Sequence, residues 1–233
     1  MFKQMFDTES STYTYLIVDD ATQEALFIDP VASHFDEYVE LIHTLKCQLK
    51  YSLETHVHAD HITASGMLRE CFELDTGASA QCGVDTADMQ LKEGDIVLLG
   101  QQEIKVIATP GHTAGSISFL WQDKLFTGDS LLINGCGRTD FQGGDAGVLY
   151  DSIINKIFTL ADETLVYPAH DYKGLQVSCV AQEKNINPRL ADKSREAFIE
   201  LMDNLDLPKP KLIDIAVPAN RAEGMVEENI QQG

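Results

Sequence analysis

Basic residues are scarce in this chain. Only 17 Lys and Arg stand against 37 Asp and Glu, a formal net charge of −20 over 233 residues. A surface this acidic repels phosphate backbones and anionic lipid, which argues against nucleic-acid and membrane partners. Long apolar runs are missing too: nothing approaches the ~20 residues that a membrane-spanning helix needs. The first ten residues lack a basic-then-apolar signal pattern, and Asp7 and Glu9 do not suit an Arg-rich transit peptide. The five cysteines, Cys47, Cys71, Cys82, Cys136 and Cys179, are odd in number, widely spaced and without a CxxC pair. Such usage argues against a disulfide frame or a zinc knuckle and points to a reducing compartment. With no repeat and no low-complexity linker, the chain reads as one domain with a C-terminal, proline-containing arm from about residue 206.

What is present alternates between strand-like and helix-like segments. Residues 12–18 and 25–28 are β-rich and flank a polar turn, the pattern of a hairpin. Ser33 is placed to cap a helix over 34–45, with Phe35, Tyr38, Val39, Ile42 and Leu45 as its apolar stripe. A strand over 50–54 leads into a helix over 62–72, weakened by Gly66. Short strands follow at 78–81, 96–99, 103–108, 116–121 and 124–127. Helices are expected over 145–160, 177–184 and 194–205, a last strand over 164–167, and a surface arm over 208–233.

Against this ordinary background one stretch stands out. Thr55-His56-Val57-His58-Ala59-Asp60-His61 puts three histidines and an aspartate within six residues. Imidazoles and carboxylates crowded this closely are costly unless something uses their lone pairs, and a metal ion is the usual user. Three further donors sit in short loops: His112 in Pro-Gly-His-Thr, Asp129 in Thr-Gly-Asp-Ser and His170 in Pro-Ala-His-Asp. His56, His112, Asp129 and His170 each lie just past a predicted strand. Loops at one end of a sheet converge, so these donors can meet at one edge. The spacing supports a site for one or two metal ions. His34 and His43, alone on a helix, read as ordinary surface or core histidines.

Taken together, His-x-His-x-Asp-His, Gly-His-Thr, Gly-Asp and the late histidine resemble the metallo-β-lactamase superfamily. The implied fold is α+β, a four-layer αββα sandwich with the metal at one edge of two sheets. THVHADHIT (55–63), TPGHT (109–113), FTGDSLLINGCGRTDF (126–141), YPAHDY (167–172), NPRL (187–190) and LDLPKPKLIDIAVPAN (205–220) are similar to the glutathione persulfide dioxygenases, the sulfur dioxygenase branch of that superfamily. The last of these and GCGRTDF discriminate, because hydrolases of the superfamily carry the histidine motifs as well.

The resemblance implies one Fe(II) per chain held by His56, His112 and Asp129, a facial triad that leaves coordination positions open. It implies glutathione persulfide and O2 as substrates, and a homodimer. His58, Asp60, His61 and His170 would then orient the ligands and manage protons rather than bind a second ion. Arg138 is a candidate for a glutathione carboxylate, with an ion pair to Asp140 as the alternative, and Tyr172 is a candidate substrate contact. Asp171 is expected to hold its loop and Cys136 to be a small buried residue. The compartment implied is the bacterial cytoplasm, or the mitochondrial matrix if a presequence has been removed. The rival reading is a dinuclear hydrolase of glutathione thioesters resembling glyoxalase II, in which all seven donors bind metal.

Overall fold

The computed structural model describes residues 1–225. Its first sheet joins six strands in sequential order: β1 (Phe2–Asp7), β2 (Thr12–Val18), β3 (Glu24–Ile28), β4 (Gln48–Leu53), β5 (Asp75–Ser79) and β6 (Met89–Leu91). The second runs β7 (Ile96–Leu99), β8 (Gln102–Ala108), β9 (Ile117–Trp121), β10 (Lys124–Gly128), β11 (Leu165–Pro168) and β12 (Ser178–Cys179). Helices α1 (Phe35–Leu45) and α2 (Ser65–Phe72) follow β3 and β4. Helices α3 (Ala146–Ser152), α4 (Val180–Ile186), α5 (Arg195–Asp203) and α6 (Ile213–Arg221) come later.

Alternation along the strands builds the layers, because successive side chains point to opposite faces. Along β2, Tyr15 and Ile17 face inward and meet Phe119, Trp121, Phe126 and Tyr167 of the second sheet. Leu16 and Val18 face outward and pack with Tyr38, Ile42 and Leu68 of α1 and α2. On the far side, Leu125 and Val166 of the second sheet pack with Leu149, Ile153 and Phe198 from the α3 and α5 region. The result is the expected αββα sandwich.

Several local expectations are corrected. β1 and β6 are strands that the sequence did not signal; β1 exists because its backbone pairs with β2 along its whole length. Ser33 makes no cap, and residues 32–34 form a short 3-10 turn before α1 begins at Phe35. The helix expected from 62 begins at Ser65, since Thr63 forms a bridge with Val31 and Ala64 N–H donates to Pro30 O. The helix expected over 145–160 is capped by Asp145 but passes into a π turn over Ile153–Ile157. The arm is the largest correction: its residues 213–221 fold into α6 and bury Ala216, Ala219 and Asn220. The part of the expected arm over 226–233 lies outside the described residues.

Candidate metal centre

Strand direction brings the distant motifs together. β10 and β11 are parallel, so the loops leaving them start side by side and set Asp129 next to His170. β3 and β4 are also parallel, which sets Asp29 beside the start of the histidine loop. Thr55 N–H and Oγ1 donate to Asp29 Oδ1 and Oδ2, each at 2.8 Å. Ile117 N–H donates to Thr55 O at 2.9 Å and couples that loop to the second sheet.

Seven donors meet at this edge. The nearest ligand atoms of His56, His112 and Asp129 lie within 4.8 Å of one another, as do those of His58, Asp60 and His61. In the first group the ring tautomers are set from behind. The Thr55 hydroxyl gives its proton to Asp29, so it accepts from His56 Nδ1 at 3.0 Å and leaves Nε2 with a free lone pair. His112 Nδ1 donates to Arg138 O at 2.7 Å, which frees its Nε2 in the same way. Carboxylates and carbonyls behind metal-binding imidazoles act like this. Burial, with His58 and His112 nearby, pushes the His56 pKa well below the usual imidazole value, so the ring is a neutral donor. Gly137 is required here: a Cβ would fall 2.4 Å from Asp129 O and 2.7 Å from His112 Nδ1. Two imidazoles and a carboxylate with converging lone pairs fit a divalent cation.

The second group is arranged differently, because His170 joins it to the first. Its Nδ1 lies 2.6 Å from Asp129 Oδ1 and its Nε2 lies 2.9 Å from Asp60 Oδ2. Burial alone would lower the His170 pKa, but Asp129 and Asp60 raise it well above the usual value, so the ring is an imidazolium donating from both nitrogens. The same pairing overcomes burial in the other direction and holds Asp129 and Asp60 below the usual carboxylate range. Asp60 Oδ2 also accepts from His61 Nδ1 at 3.0 Å. His58 Nε2 makes close charge contacts, 3.2 Å to Asp29 Oδ1 and 3.3 Å to Glu54 Oε2. Burial opposes a charge on His58, but these carboxylates raise its pKa to about 10. His58 Nδ1 and His61 Nε2 are buried without a hydrogen-bond partner among the described residues.

Arg138 makes the ion pair that was its alternative assignment. Its Nε and Nη2 donate to the two oxygens of Asp140 at 2.6 and 2.7 Å, and Nη1 donates to Pro208 O at 2.7 Å. Its guanidinium lies 4.6 Å from the ring centroid of Phe141. Tyr172 is 72% exposed and stacks on His170, with ring planes 5° apart. Asp171 holds its loop, accepting from Lys173 and Leu175 N–H, and Cys136 is buried. A cavity of about 530 Å³ opens beside Arg138, Thr139, Asp145, Arg195, Met202 and Leu207. None of the seven donors lines it.

Three participants were missed in the sequence. Thr12 Oγ1 lies 3.1 Å from His170 Nε2 and 3.2 Å from Asp60 Oδ2. Asp29 organises Thr55 and His58, and Asn220 of α6 reaches the histidine loop. Thr12 and Asp29 sit in no motif, and Asn220 closes the tail motif over 205–220, which carries no sign of a link to the histidine loop. Asp29-Pro30 ending a strand reads equally well as a simple turn.

Residues 87–170 match the metallo-β-lactamase superfamily. Persulfide dioxygenase ETHE1, mitochondrial, of Mus musculus is 48% identical over 97% of this chain and 89% of its own length, and the Homo sapiens protein is 46% identical over the same shares. The crystal structure of ETHE1 from Myxococcus xanthus superposes with a TM-score of 0.95 at 56% identity, covering 97% of this chain and 100% of that one. A hydroxyacylglutathione hydrolase of Bdellovibrio bacteriovorus is 37% identical over 69% of this chain and 63% of its own length. Set beside the donor geometry, these similarities show that the chain belongs to the ETHE1 persulfide dioxygenase family of the metallo-β-lactamase superfamily.

Proposed function

We propose that this chain is a mononuclear Fe(II) enzyme that oxidises glutathione persulfide with O2 and water to sulfite and glutathione. The balance is one persulfide, one O2 and one water to one thiol, one sulfite and two protons. The outer sulfur loses four electrons, and O2 takes them up. The observation that carries the one-metal reading is the double engagement of His170, whose two nitrogens both face carboxylates. A buried imidazolium there supplies the positive charge that a second cation would bring, and it leaves His170 no lone pair to offer one. The donor set His56, His112 and Asp129 stays free to bind. Iron at these residues would supply open coordination positions and electron transfer to O2.

The chain's own groups do the rest. Thr55 and the Arg138 carbonyl keep the two imidazoles oriented with Nε2 lone pairs toward the site. His170 holds Asp129 by one oxygen, and Thr12 and Asp60 hold His170. That network offers positions for the two protons released per turnover. Tyr172, exposed over His170, is suited to cover the glutathionyl part of the substrate. Arg138 is better suited to act through its loop than by taking a carboxylate directly, since Asp140 already occupies its fork. We extend the proposal to a homodimer working in a reducing compartment, the bacterial cytoplasm or mitochondrial matrix. No helix among the described residues is long and apolar enough to cross a membrane.

One observation favours the hydrolase reading. His58 Nδ1 and His61 Nε2 are buried and have no hydrogen-bond partner among the described residues, which suits them to a second ion. A single experiment separates the two. The protein is purified without oxygen, its metal is counted, and O2 uptake with glutathione persulfide is measured beside hydrolysis of a glutathione thioester. About one iron per chain with persulfide-dependent O2 uptake supports the dioxygenase. Two metals per chain with thioester cleavage alone would refute it.

A further inference from the structure

The loop from Thr55 to Ala64 carries most of the donors yet has little regular backbone pairing of its own. Its upstream end is fixed by Asp29 and Ile117. The downstream end runs through His58 to Thr63, and there three buried main-chain groups, the carbonyls of His58 and His61 and the N–H of Thr63, need partners. Buried backbone groups left unpaired are costly, so their partners are informative. All three bond to one side chain. Asn220 Nδ2 donates to His58 O at 2.9 Å and to His61 O at 2.8 Å, and Asn220 Oδ1 accepts from Thr63 N–H at 2.9 Å.

We propose that Asn220 is a positioning residue for the metal centre: its amide fixes the register of the loop that presents His58, Asp60 and His61 to His170. It is 5% exposed and touches no imidazole ring in hydrogen-bond terms, so it acts through the backbone. The amide has one workable orientation. Reversed, it would aim its oxygen at two carbonyls and its N–H groups at another N–H. No residue near the loop in sequence supplies this chemistry; the partners are separated by 157 to 162 positions.

The helix that carries Asn220 is itself docked firmly. Glu223 O accepts from Gly66 N–H at 2.9 Å, and Glu223 Oε2 lies 2.7 Å from Arg69 Nη1. Gly224, at φ +78°, passes so close that a Cβ would fall 2.0 Å from Thr63 O. The C-terminal segment thus meets α2 and the loop together. The inference rests on the metal-binding part of the proposed function and is independent of which reaction follows.

The test uses the full chain and reads metal binding without persulfide. In Asn220→Asp the acceptor for Thr63 N–H is kept, while an oxygen replaces the donor facing two carbonyls. Asn220→Ser keeps at most one donor and guards against a variant that fails to fold. Affinity for Co(II) is measured by competition with a chelator, together with the Co(II) visible spectrum and the melting temperature of the metal-free protein. The expected result is about tenfold weaker binding with an altered spectrum in both variants, because the loop that Asn220 fixes also carries His56 and the groups that hold His170 against Asp129. Ile215→Ser, on the 63% exposed side of the same helix, should leave affinity and spectrum unchanged. Lower melting temperatures with wild-type affinity and spectrum would overturn the proposal and make Asn220 a brace for the fold alone. A wild-type chain that binds no Co(II) would overturn the metal reading with it, whereas Co(II) binding without persulfide oxidation would sink only the reaction.

Discussion

Replacing His170 by Ala separates a charge-balancing role from a ligand role, because only the ligand role predicts a loss of metal per chain. In the metal-free protein the ring is buried and donates to two carboxylates at 2.6 and 2.9 Å. Removing one partner of a buried ion pair leaves charge uncompensated and costs about 3–5 kcal/mol. In a chain of this size one kcal/mol moves the melting temperature by roughly 2–4 °C, so the metal-free variant should melt about 10 °C lower. A cation at His56, His112 and Asp129 supplies Asp129 with a new counter-charge, so metal should restore part of this loss. By linkage, affinity for the first ion does not collapse. Loss of the ring's grip on Asp129 weakens binding by about tenfold, while loss of imidazolium repulsion strengthens it, and the two oppose. The expected outcome is therefore a large drop in metal-free stability with metal affinity within about tenfold of wild type and metal per chain unchanged. Scanning calorimetry and elemental analysis read both. An unchanged metal-free melting temperature would refute the charge triad. A fall from two metals to one would show that His170 is a ligand.

Further outcomes follow from the same geometry. Asp129→Ala should abolish iron retention, whereas His61→Ala should keep most of it; equal losses by elemental analysis would mark a dinuclear centre. The contributions of Asp60, Asp129 and His170 to the stability of the metal-free protein should be full together only between about pH 4 and 6.5, as denaturant titrations across pH would show. Asp60 and Asp129 have depressed pKa values, so their contribution is present above the unfolded value of ~3.9 and lost as pH falls through the folded values. His170 has a raised pKa, so its contribution is full below ~6.5 and lost as pH rises through the folded value. Arg138→Lys should raise KM for the persulfide and expose residues 205–208 to limited proteolysis, since an ammonium cannot bridge both Asp140 oxygens and the Pro208 carbonyl. Equal KM and equal cleavage in the two proteins would leave that loop without a role.

The sequence made the sandwich and the meeting of the motifs legible for a physical reason. Strand alternation and donors just past strand ends are local signals, and local signals survive in a one-dimensional record. Tyr15 inward and Leu16 outward follow from period two alone. Whether a strand exists by virtue of its neighbour is not local, which is why β1, made by pairing with β2, went unseen. The tail was misjudged for a related reason. Proline marks a break in isolation, yet Pro218 lies within α6 because burial of Ala216, Ala219 and Asn220 outweighs local preference.

Within the site, the limit falls between donor inventory and donor pairing. All seven donors could be named from the chain, but hydrogen-bond partners decide which lone pairs are free. His170 is the clearest case. As a motif residue it is interchangeable with a metal ligand. As a ring pinned between Asp129 and Asp60 it has no lone pair to give, and that pinning depends on the parallel register of β10 and β11. His56 shows the converse, since its Nε2 is free because Thr55 passes its proton to Asp29, a residue 27 positions upstream of it. A dense histidine motif therefore specifies that metal chemistry is available. Which lone pairs stay free is governed by residues outside the histidine motifs, Thr12, Asp29 and Asn220, through the bonds they make around the histidines.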